Sequence, residues 1–369
     1  MLPPSHTILL YFFALFILVN DRYWIEGAST RLMKEPLLPL LPHDVEENGD
    51  AHSHQNGYAN GVIEVVDMET PQEMFTPYEV YMALTSQEWC KIGHAESMLV
   101  CATPDRKKMN FRATGMLEYH LDRVIKHRDP DGNVSLSTRI QLSKFVEAVS
   151  QTYSDVMFHN YQHAIHVMTS MNALLTFVLT EDPLNSFSLV FSALIHDAGH
   201  TGMSNKILED SRHPLSEKWC AKDVPIAERN SIDLVMSILF RPEYQSLRDA
   251  IIPGVKDKIQ FGKTLFQSIL ITDIATPDNV KRSITRHDAC QGIIPLTEAH
   301  CPIEDCLDDV LDGLGLDSSV KERNPDDFVI TPSGLASCAR NEHLMLLSDI
   351  AHLLQGWANF VKWNFRLCE

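Results

Sequence analysis

Two neighbouring stretches determine the fold class: HAIHVMTSMNALLTFVL at residues 163–179 and SLVFSALIHDAGH at residues 188–200. In both, apolar residues recur at intervals of three and four, the spacing that places side chains on one face of an α-helix. The same periodicity runs through residues 118–127, 140–153, 231–240, 264–274 and 342–367. No segment sustains the alternation of apolar and polar residues that is typical of a half-buried strand. The sequence therefore predicts an all-α domain of several packed helices.

The composition is that of a globular protein with an acidic surface. Of its 369 residues, 44% are hydrophobic and 22% are charged, and 31 Lys and Arg against 49 Asp and Glu give a net charge of −18. These proportions exclude wholesale disorder and a polytopic membrane protein. Because the negative charge would repel a phosphate backbone, we expect no nucleic-acid partner. The eight cysteines form no C-x-x-C pair, which favours reduced cytosolic thiols over a disulfide framework or a cysteine zinc site.

An uncharged apolar segment, ILLYFFALFILV, occupies residues 8–19, and the nearby basic residues all follow it. The run alone is too short to span about 30 Å of hydrocarbon, but its extension from Leu2 to Trp24 approaches that length. Positive charge on its C-terminal side favours a cytosolic location for the rest of the chain, and a signal peptide is the alternative reading of the run. We predict a membrane anchor over residues 1–25, with a wholly cytosolic protein as the alternative. A polar, disordered linker is predicted over residues 26–75.

The helical domain is expected over residues 76–369. Between residues 274 and 341 its periodicity lapses into a segment rich in Asp, Gly and Pro, for example DDVLDGLGLDSSVKERNPDDF at residues 308–328. Such a composition predicts an acidic surface insertion, which we place at about residues 286–340.

Side chains that bind metals stand on or beside four of the apolar helices. They are His159 with His163, His196 with Asp197 and His200, Thr272 with Asp273, and Asp349 with His352. Buried carboxylates and imidazoles need a compensating charge, which a divalent cation supplies. A single His on an apolar helix is more often a core residue, but four such elements in one helical chain predict a metal centre.

The order and residue patterns of these motifs resemble those of the catalytic domain of class I 3′,5′-cyclic nucleotide phosphodiesterases, which are HD-type metal-dependent phosphohydrolases. The family has Y-H-N-x-x-H-A, H-D-x-x-H-x-G and A-D-I-S-H where this chain has F-H-N-Y-Q-H-A, H-D-A-G-H-T-G and S-D-I-A-H. The resemblance runs from about residue 75 to the end of the chain. It implies a compact multi-helix domain with a two-metal centre, and an enzyme of cyclic nucleotide signalling whose substrate is cAMP, cGMP or both.

The resemblance also implies a role for each matched residue. The first metal, zinc in the family, would be held by His163, His196, Asp197 and Asp349. Asp197 would bridge to a second metal, magnesium or manganese, whose waters would be oriented by His200, Glu228 and Thr272. Nitrogen and oxygen ligands suit zinc, whereas a carboxylate with several waters suits magnesium. The family usually has E-x-H-H where this chain has Glu228 followed by Arg, Asn and Ser.

The expected mechanism is hydrolysis of the 3′ phosphoester bond. A hydroxide activated by the two metals would attack phosphorus in line, and His159, beside the metals without being a ligand, would protonate the departing 3′ oxygen. The product would be a nucleoside 5′-monophosphate. Two alternatives stay open: an HD-type phosphohydrolase acting on another phosphoester, and a truncated, weakly active module that binds cyclic nucleotide or a partner.

The segment after Asp349 bears on the substrate pocket. It has only twenty residues, whereas the family continues through helices that carry a base-binding glutamine and a stacking aromatic residue. We therefore expect an incomplete C-terminus and weak base discrimination, and we assign no substrate-binding residue. On the same grounds we expect four apolar side chains to be exposed: Leu353, Trp357, Phe360 and Trp363.

Overall fold

The computed structural model describes residues 105–177, 182–219, 225–290, 292–295, 332–354 and 357–368. Every regular element within these ranges is a helix, which confirms the predicted all-α class. The predicted anchor at residues 1–25 and the linker at residues 26–75 lie outside the described residues. None of the helices in the described ranges combines the length and the apolar character needed to cross a bilayer.

The described α-helices follow one another in chain order and are numbered here as they occur. They are α1 Arg106–Arg128, α2 Leu136–Ser150, α3 Tyr161–Phe177, α4 Pro183–Ile195, α5 Asn205–Asp210, α6 Pro214–Trp219, α7 Ile226–Leu239, α8 Gln245–Ile251, α9 Val255–Leu270, α10 Pro277–Cys290, α11 Pro332–Asp349 and α12 Trp357–Cys368. Short 3₁₀ turns at Pro242–Tyr244 and Ala351–Leu354 precede α8 and α12.

Short polar side chains determine where several of these helices begin. Asp105, Ser135, Asp182 and Ser204 stand immediately before α1, α2, α4 and α5, and each accepts a hydrogen bond from a backbone N–H of the first turn. These N–H groups have no partner inside the helix, so a side-chain acceptor stabilises the helix by about 1 kcal/mol.

Helix α4 forms the centre of the domain. All of its residues are buried, and it packs against α1, α3, α9 and α11. A helix that is covered on all sides is mostly apolar, and its few polar side chains need hydrogen-bond partners inside the protein. Phe191 stacks on Phe145 of α2 with ring centroids 5.5 Å apart and meets Phe261 of α9 edge-on at 5.3 Å. The residues that directly follow α4 are therefore attached to a tightly packed helix.

A buried polar pair links α4 to α11. Asn185 and Asn341 donate to each other, Nδ2 to Oδ1, at 3.0 and 2.8 Å. The hydroxyl of Thr264 in α9 donates to the same Asn185 oxygen at 3.2 Å. Because a buried polar group without a partner costs about 1–3 kcal/mol, this pair fixes how α4 and α11 lie against each other.

The predicted surface insertion overlaps helices at both of its ends. Part of the range 286–340 belongs to α10 and α11, while residues 296–331 lie outside the described part. The guanidinium of Arg286 contacts both carboxylate oxygens of Glu342, at 2.7 and 3.1 Å, and both side chains are almost fully buried. An ion pair inside the protein therefore joins α10 to α11.

Helix α12 packs back onto the domain. Trp363 is only 2% exposed, so the prediction that it is exposed is wrong. Leu353 and Phe360 are partly buried, whereas nothing is described of the Trp357 side chain. Among the described side chains of the helix, Val361 and Phe365 stay in solvent, 43% and 60% exposed. Trp363 is buried because α12 turns this face toward α3, as its ring contacts show below.

Candidate metal centre

Two histidines and two aspartates from three distant segments meet at the C-terminal end of α4. His163 lies in the first turn of α3, His196 and Asp197 directly follow α4, and Asp349 is the last residue of α11. His163 Nε2 lies 2.9 Å from Asp349 Oδ1 and 3.7 Å from Asp197 Oδ2. His196 Nε2 lies 3.1 Å from Asp197 Oδ2 and 3.6 Å from Asp349 Oδ1. The structure thus brings together the four residues predicted to hold the first metal.

The hydrogen bonding of His196 shows what this space can hold. Its Nδ1 lies 3.1 Å from the backbone oxygen of Ala193, which can only accept, so Nδ1 carries a proton. Nε2 then faces Asp197 and Asp349, and both Nε2 and Asp197 Oδ2 are without a hydrogen-bond partner among the described residues. A nitrogen lone pair and carboxylate oxygens repel one another unless a positive charge lies between them. This donor set therefore fits a divalent cation.

The pKa values of the cluster also indicate that its carboxylates require positive charge nearby. Burial alone would raise the pKa of the Asp197 and Asp349 carboxyls, but the facing histidines outweigh it and hold both pKa values well below their usual range. Burial opposes a charge on His196, yet the two carboxylates raise its pKa well above the usual value. A proton on His196 supplies positive charge where a metal would otherwise supply it.

A second group of potential ligand atoms shares Asp197. Nitrogen atoms of His159 and His200 lie within 4.8 Å of each other and of an Asp197 carboxylate oxygen, and the two imidazole rings stack with centroids 3.9 Å apart. The backbone N–H of Gly202 donates to Nδ1 of His200 at 3.0 Å, so a neutral His200 carries its proton on Nε2. A nitrogen that bears a proton can orient a water or a phosphate oxygen but cannot ligate a metal. This geometry favours the water-orienting role predicted for His200.

His159 belongs to this second group and not to the group formed by His163, His196 and Asp349. Burial lowers the pKa of His159 to about 4. The carboxylate of Asp197 acts in the opposite direction and raises this pKa, whereas the positive charge of a protonated His200 would lower it further. His159 is therefore neutral near pH 7 in the cation-free centre. A role as general acid requires a further negative charge, such as a bound phosphate, to raise its pKa.

Two motif residues shape the backbone around the centre. The side-chain oxygen of Asn160 accepts from the His163 N–H at 3.1 Å, and its Nδ2 donates to the backbone oxygen of Val156 at 2.9 Å. Asn160 therefore starts α3 at a fixed angle, which explains an Asn in the H-N-x-x-H pattern. Gly199 has a φ of +75°, and a Cβ there would lie 2.8 Å from Leu234 Cδ2. Only glycine fits this turn, which directs His200 back toward Asp197.

The carboxylate of Glu228 belongs to a hydrogen-bond network around Asn205, a residue that the motifs did not predict. Asn205 Nδ2 donates to Glu228 Oε2 at 2.9 Å and to Asp273 Oδ2 at 3.1 Å, and Asn205 Oδ1 accepts from the Ala227 N–H at 2.9 Å. Burial, reinforced by the negative charge of Asp273, raises the pKa of Glu228 to about 8. Glu228 is therefore mostly protonated at neutral pH and can donate a hydrogen bond.

Thr272 is placed beside this network, but its hydroxyl donates to the backbone oxygen of Ile269 at 2.8 Å. The adjacent Asp273 is the residue that joins Asn205. Asp273 was named beside Thr272 from the sequence. Asn205 was not, although it closely follows the H-x-G turn.

Comparison with known proteins identifies relatives of this chain. Residues 158–369, more than half of the chain, match the family model described as 3′5′-cyclic nucleotide phosphodiesterase. The 3′,5′-cyclic-nucleotide phosphodiesterase 2 of Saccharomyces cerevisiae is 28% identical over 152 residues, which cover 41% of this chain and 27% of that protein. The dual 3′,5′-cyclic-AMP and -GMP phosphodiesterase 11 of Drosophila melanogaster is 27% identical over 139 residues, which cover 36% of this chain and 9% of that protein. The chain thus spans less than a third of the length of these curated relatives.

A solved structure shares the architecture. The phosphodiesterase domain of the RhoPDE fusion protein from the choanoflagellate Salpingoeca rosetta is similar with a TM-score of 0.50 and 19% sequence identity. The similarity covers 72% of this chain and 69% of that domain chain. At this identity the likeness is one of fold.

Proposed function

Because the chain belongs to the 3′,5′-cyclic nucleotide phosphodiesterase family, we propose that it hydrolyses the 3′ phosphoester bond of cAMP, cGMP or both to the nucleoside 5′-monophosphate. The observation that carries the proposal is the meeting of four predicted ligands, whose nitrogen and oxygen atoms lie 2.9–3.7 Å apart. All four lie within the residues that match the family model. The unpartnered atoms of His196 and Asp197 support a cation at this position.

Two divalent cations complete the proposed centre. Zinc would occupy the site of His163, His196, Asp197 and Asp349, whose nitrogen and oxygen donors suit it. Magnesium or manganese would share Asp197 at the second site, with His200, Glu228 and Thr272 orienting its waters. When bound, the cations would neutralise the phosphoryl oxygens and lower the pKa of a water.

The remaining steps belong to side chains of this chain. His200 offers its Nε2 proton to a phosphoryl oxygen or to a water, because Gly202 holds its Nδ1 as an acceptor. His159 protonates the departing 3′ oxygen. The negative charge of the phosphate raises the pKa of His159 from the value of about 4 that burial imposes, so the proton is taken up as substrate binds.

The apolar run at residues 8–19, outside the described residues, adds a proposed location. It would anchor the protein in a membrane with the catalytic domain in the cytosol. Fusion of residues 1–30 to a soluble reporter should then give a carbonate-resistant pellet with the reporter accessible from the cytosol. Recovery of a soluble fusion, or cleavage near residue 28, would contradict the anchor.

The activity is tested with the purified full chain on three substrates: cAMP, cGMP and a general phosphodiester, bis(p-nitrophenyl) phosphate. We expect hydrolysis of a cyclic nucleotide to its 5′-monophosphate, loss of turnover with EDTA, and recovery on addition of zinc and magnesium. His196→Asn should be inactive. His127→Asn, an exposed His in α1, is the matched control and should retain full activity.

Two results would contradict the proposal. Equal or faster turnover of the general diester would favour an HD-type phosphohydrolase with another substrate. Binding of cyclic nucleotide without metal-dependent turnover would favour a binding module.

A further inference from the structure

Helix α12 places an indole ring against the candidate metal centre. The ring centroid of Trp363 lies 5.5 Å from that of His163, 5.5 Å from that of His166 and 5.8 Å from that of Phe158. Trp363 is 2% exposed, so these contacts account for the burial of a large side chain near the end of the described part. The imidazole of a predicted metal ligand is one wall of its pocket.

The orientation of His163 depends on such packing. Its Nε2 faces Asp349, whereas its Nδ1 is buried without a hydrogen-bond partner in the described part of the chain. A metal-ligating histidine usually donates from its second nitrogen to an acceptor that fixes the ring. Here aromatic rings limit its rotation instead: Phe158 with a centroid distance of 4.3 Å, and Trp363 at 5.5 Å.

A further contact holds Trp363 in place. Arg366 Nη1 donates to Gln162 Oε1 at 2.8 Å, and Gln162 directly precedes His163 in α3. The guanidinium carbon of Arg366 also lies 5.0 Å from the centre of the Trp363 ring, within the range of a cation–π contact. Helix α12 follows Asp349 after a short 3₁₀ turn. One continuous segment therefore brings both a predicted ligand and the indole to His163.

We propose that Trp363 is a positioning residue for His163, so that docking of α12 and capture of a metal ion stabilise each other. The inference rests on the proposed function in taking His163 as a metal ligand. With Trp363 docked, the imidazole is held toward Asp349 before the ion arrives, and binding requires no reorientation. Because coupling is reciprocal, the ion must favour the docked helix by the same factor by which the docked helix favours the ion.

Zinc affinity of the full chain, measured by competition with a chelating dye, tests the first half of the proposal. Trp363→Leu should weaken zinc binding about 10–100-fold, the usual effect of losing a residue that orients a ligand. Trp363→Phe keeps an aromatic ring and should stay close to the wild type. Phe365→Leu, on the same helix but 60% exposed, is the matched control and should bind zinc normally.

Hydrogen exchange tests the second half, and its deciding measurement is made on the wild type. Zinc should slow exchange of the α12 amides in the wild type, and Trp363→Leu should abolish this response. Tight zinc binding by Trp363→Leu, or exchange of α12 that ignores zinc in the wild type, would overturn the inference while leaving the metal centre in place. If Trp363→Leu does not fold, the wild-type exchange result decides. Absence of zinc binding in the wild type would overturn both the inference and the proposed centre.

Discussion

Replacing Asp349 by Asn keeps the shape of the side chain and removes one negative charge from the centre. Asp349 Oδ1 lies 2.9 Å from His163 Nε2 and 3.6 Å from His196 Nε2, and the side chain is 19% exposed. Removing one partner of a buried charge pair costs about 3–5 kcal/mol. Because Asp197 still faces His196 and some water reaches Asp349, we expect the lower end, a loss of about 3 kcal/mol in the metal-free protein.

Zinc should enlarge this difference. At a concentration one hundred times its Kd, a ligand that binds only the native state stabilises it by about 2.7 kcal/mol. The wild type should gain this amount, whereas Asp349→Asn lacks one of the four predicted ligands and should gain little. The two proteins should therefore differ by about 3 kcal/mol with EDTA and by about 6 kcal/mol with zinc.

The assay is urea unfolding followed by circular dichroism in both buffers, with Asp233→Asn as the control. Asp233 pairs with Lys218 at 2.6 Å, but the two side chains are 44% and 48% exposed. Such an exposed pair contributes about 0.2–1 kcal/mol, and its loss should be the same with and without zinc. Our reasoning is refuted if Asp349→Asn matches Asp233→Asn in both buffers, or if it gains as much from zinc as the wild type.

Three other predictions concern the acid, the network and the core. His159→Asn should lower kcat about 10²–10⁴-fold with unchanged metal content by mass spectrometry, and loss of metal would instead make His159 a ligand. Asn205→Ala removes the amide that joins Glu228 to Asp273; it should weaken activation by magnesium about tenfold with zinc content intact, and an unaltered magnesium titration would contradict this. Burial lowers the pKa of His120 to about 4, so the unfolded chain takes up this proton near pH 6.5 and the folded chain only near pH 4. The free energy of unfolding should be unaffected above pH 6.5 and fall by about 3 kcal/mol toward pH 4. Measured by urea unfolding, it should depend less on pH in His120→Gln; the same pH dependence in variant and wild type would rule this out.

Apolar periodicity was sufficient to predict the class of the fold and several of its central helices. It failed for α10, where the fully buried side chain is the charged Arg286, paired with Glu342 of α11. It also failed for Trp363, which is buried against α3. In both cases the partner is remote in sequence, so a local pattern carries no sign of it.

Motif spacing led to the four residues that meet in the structure, and their catalytic and metal-binding roles stay predictions. His196 and Asp197 are adjacent, so the sequence alone places them together. Asn205 was missed because an Asn at the start of a short helix usually acts as a turn or capping residue. Its role depends on carboxylates from α7 and from the segment after α9. The packing of Trp363 on His163 likewise depends on three-dimensional neighbours.

The paired amides of Asn185 and Asn341 fix the axial position of α4 relative to α11, the two helices that end at the candidate metal centre. Asn185 stands eleven residues before His196, and Asn341 stands eight residues before Asp349. A slide of either helix by one residue would shift its ligand by about 1.5 Å, and one inserted residue would rotate it by about 100° around the helix axis. The number of residues between each Asn and the predicted ligand that follows it is therefore fixed. Evolution can exchange side chains along these two stretches, but a single insertion or deletion within either one would misalign the amides or the ligands.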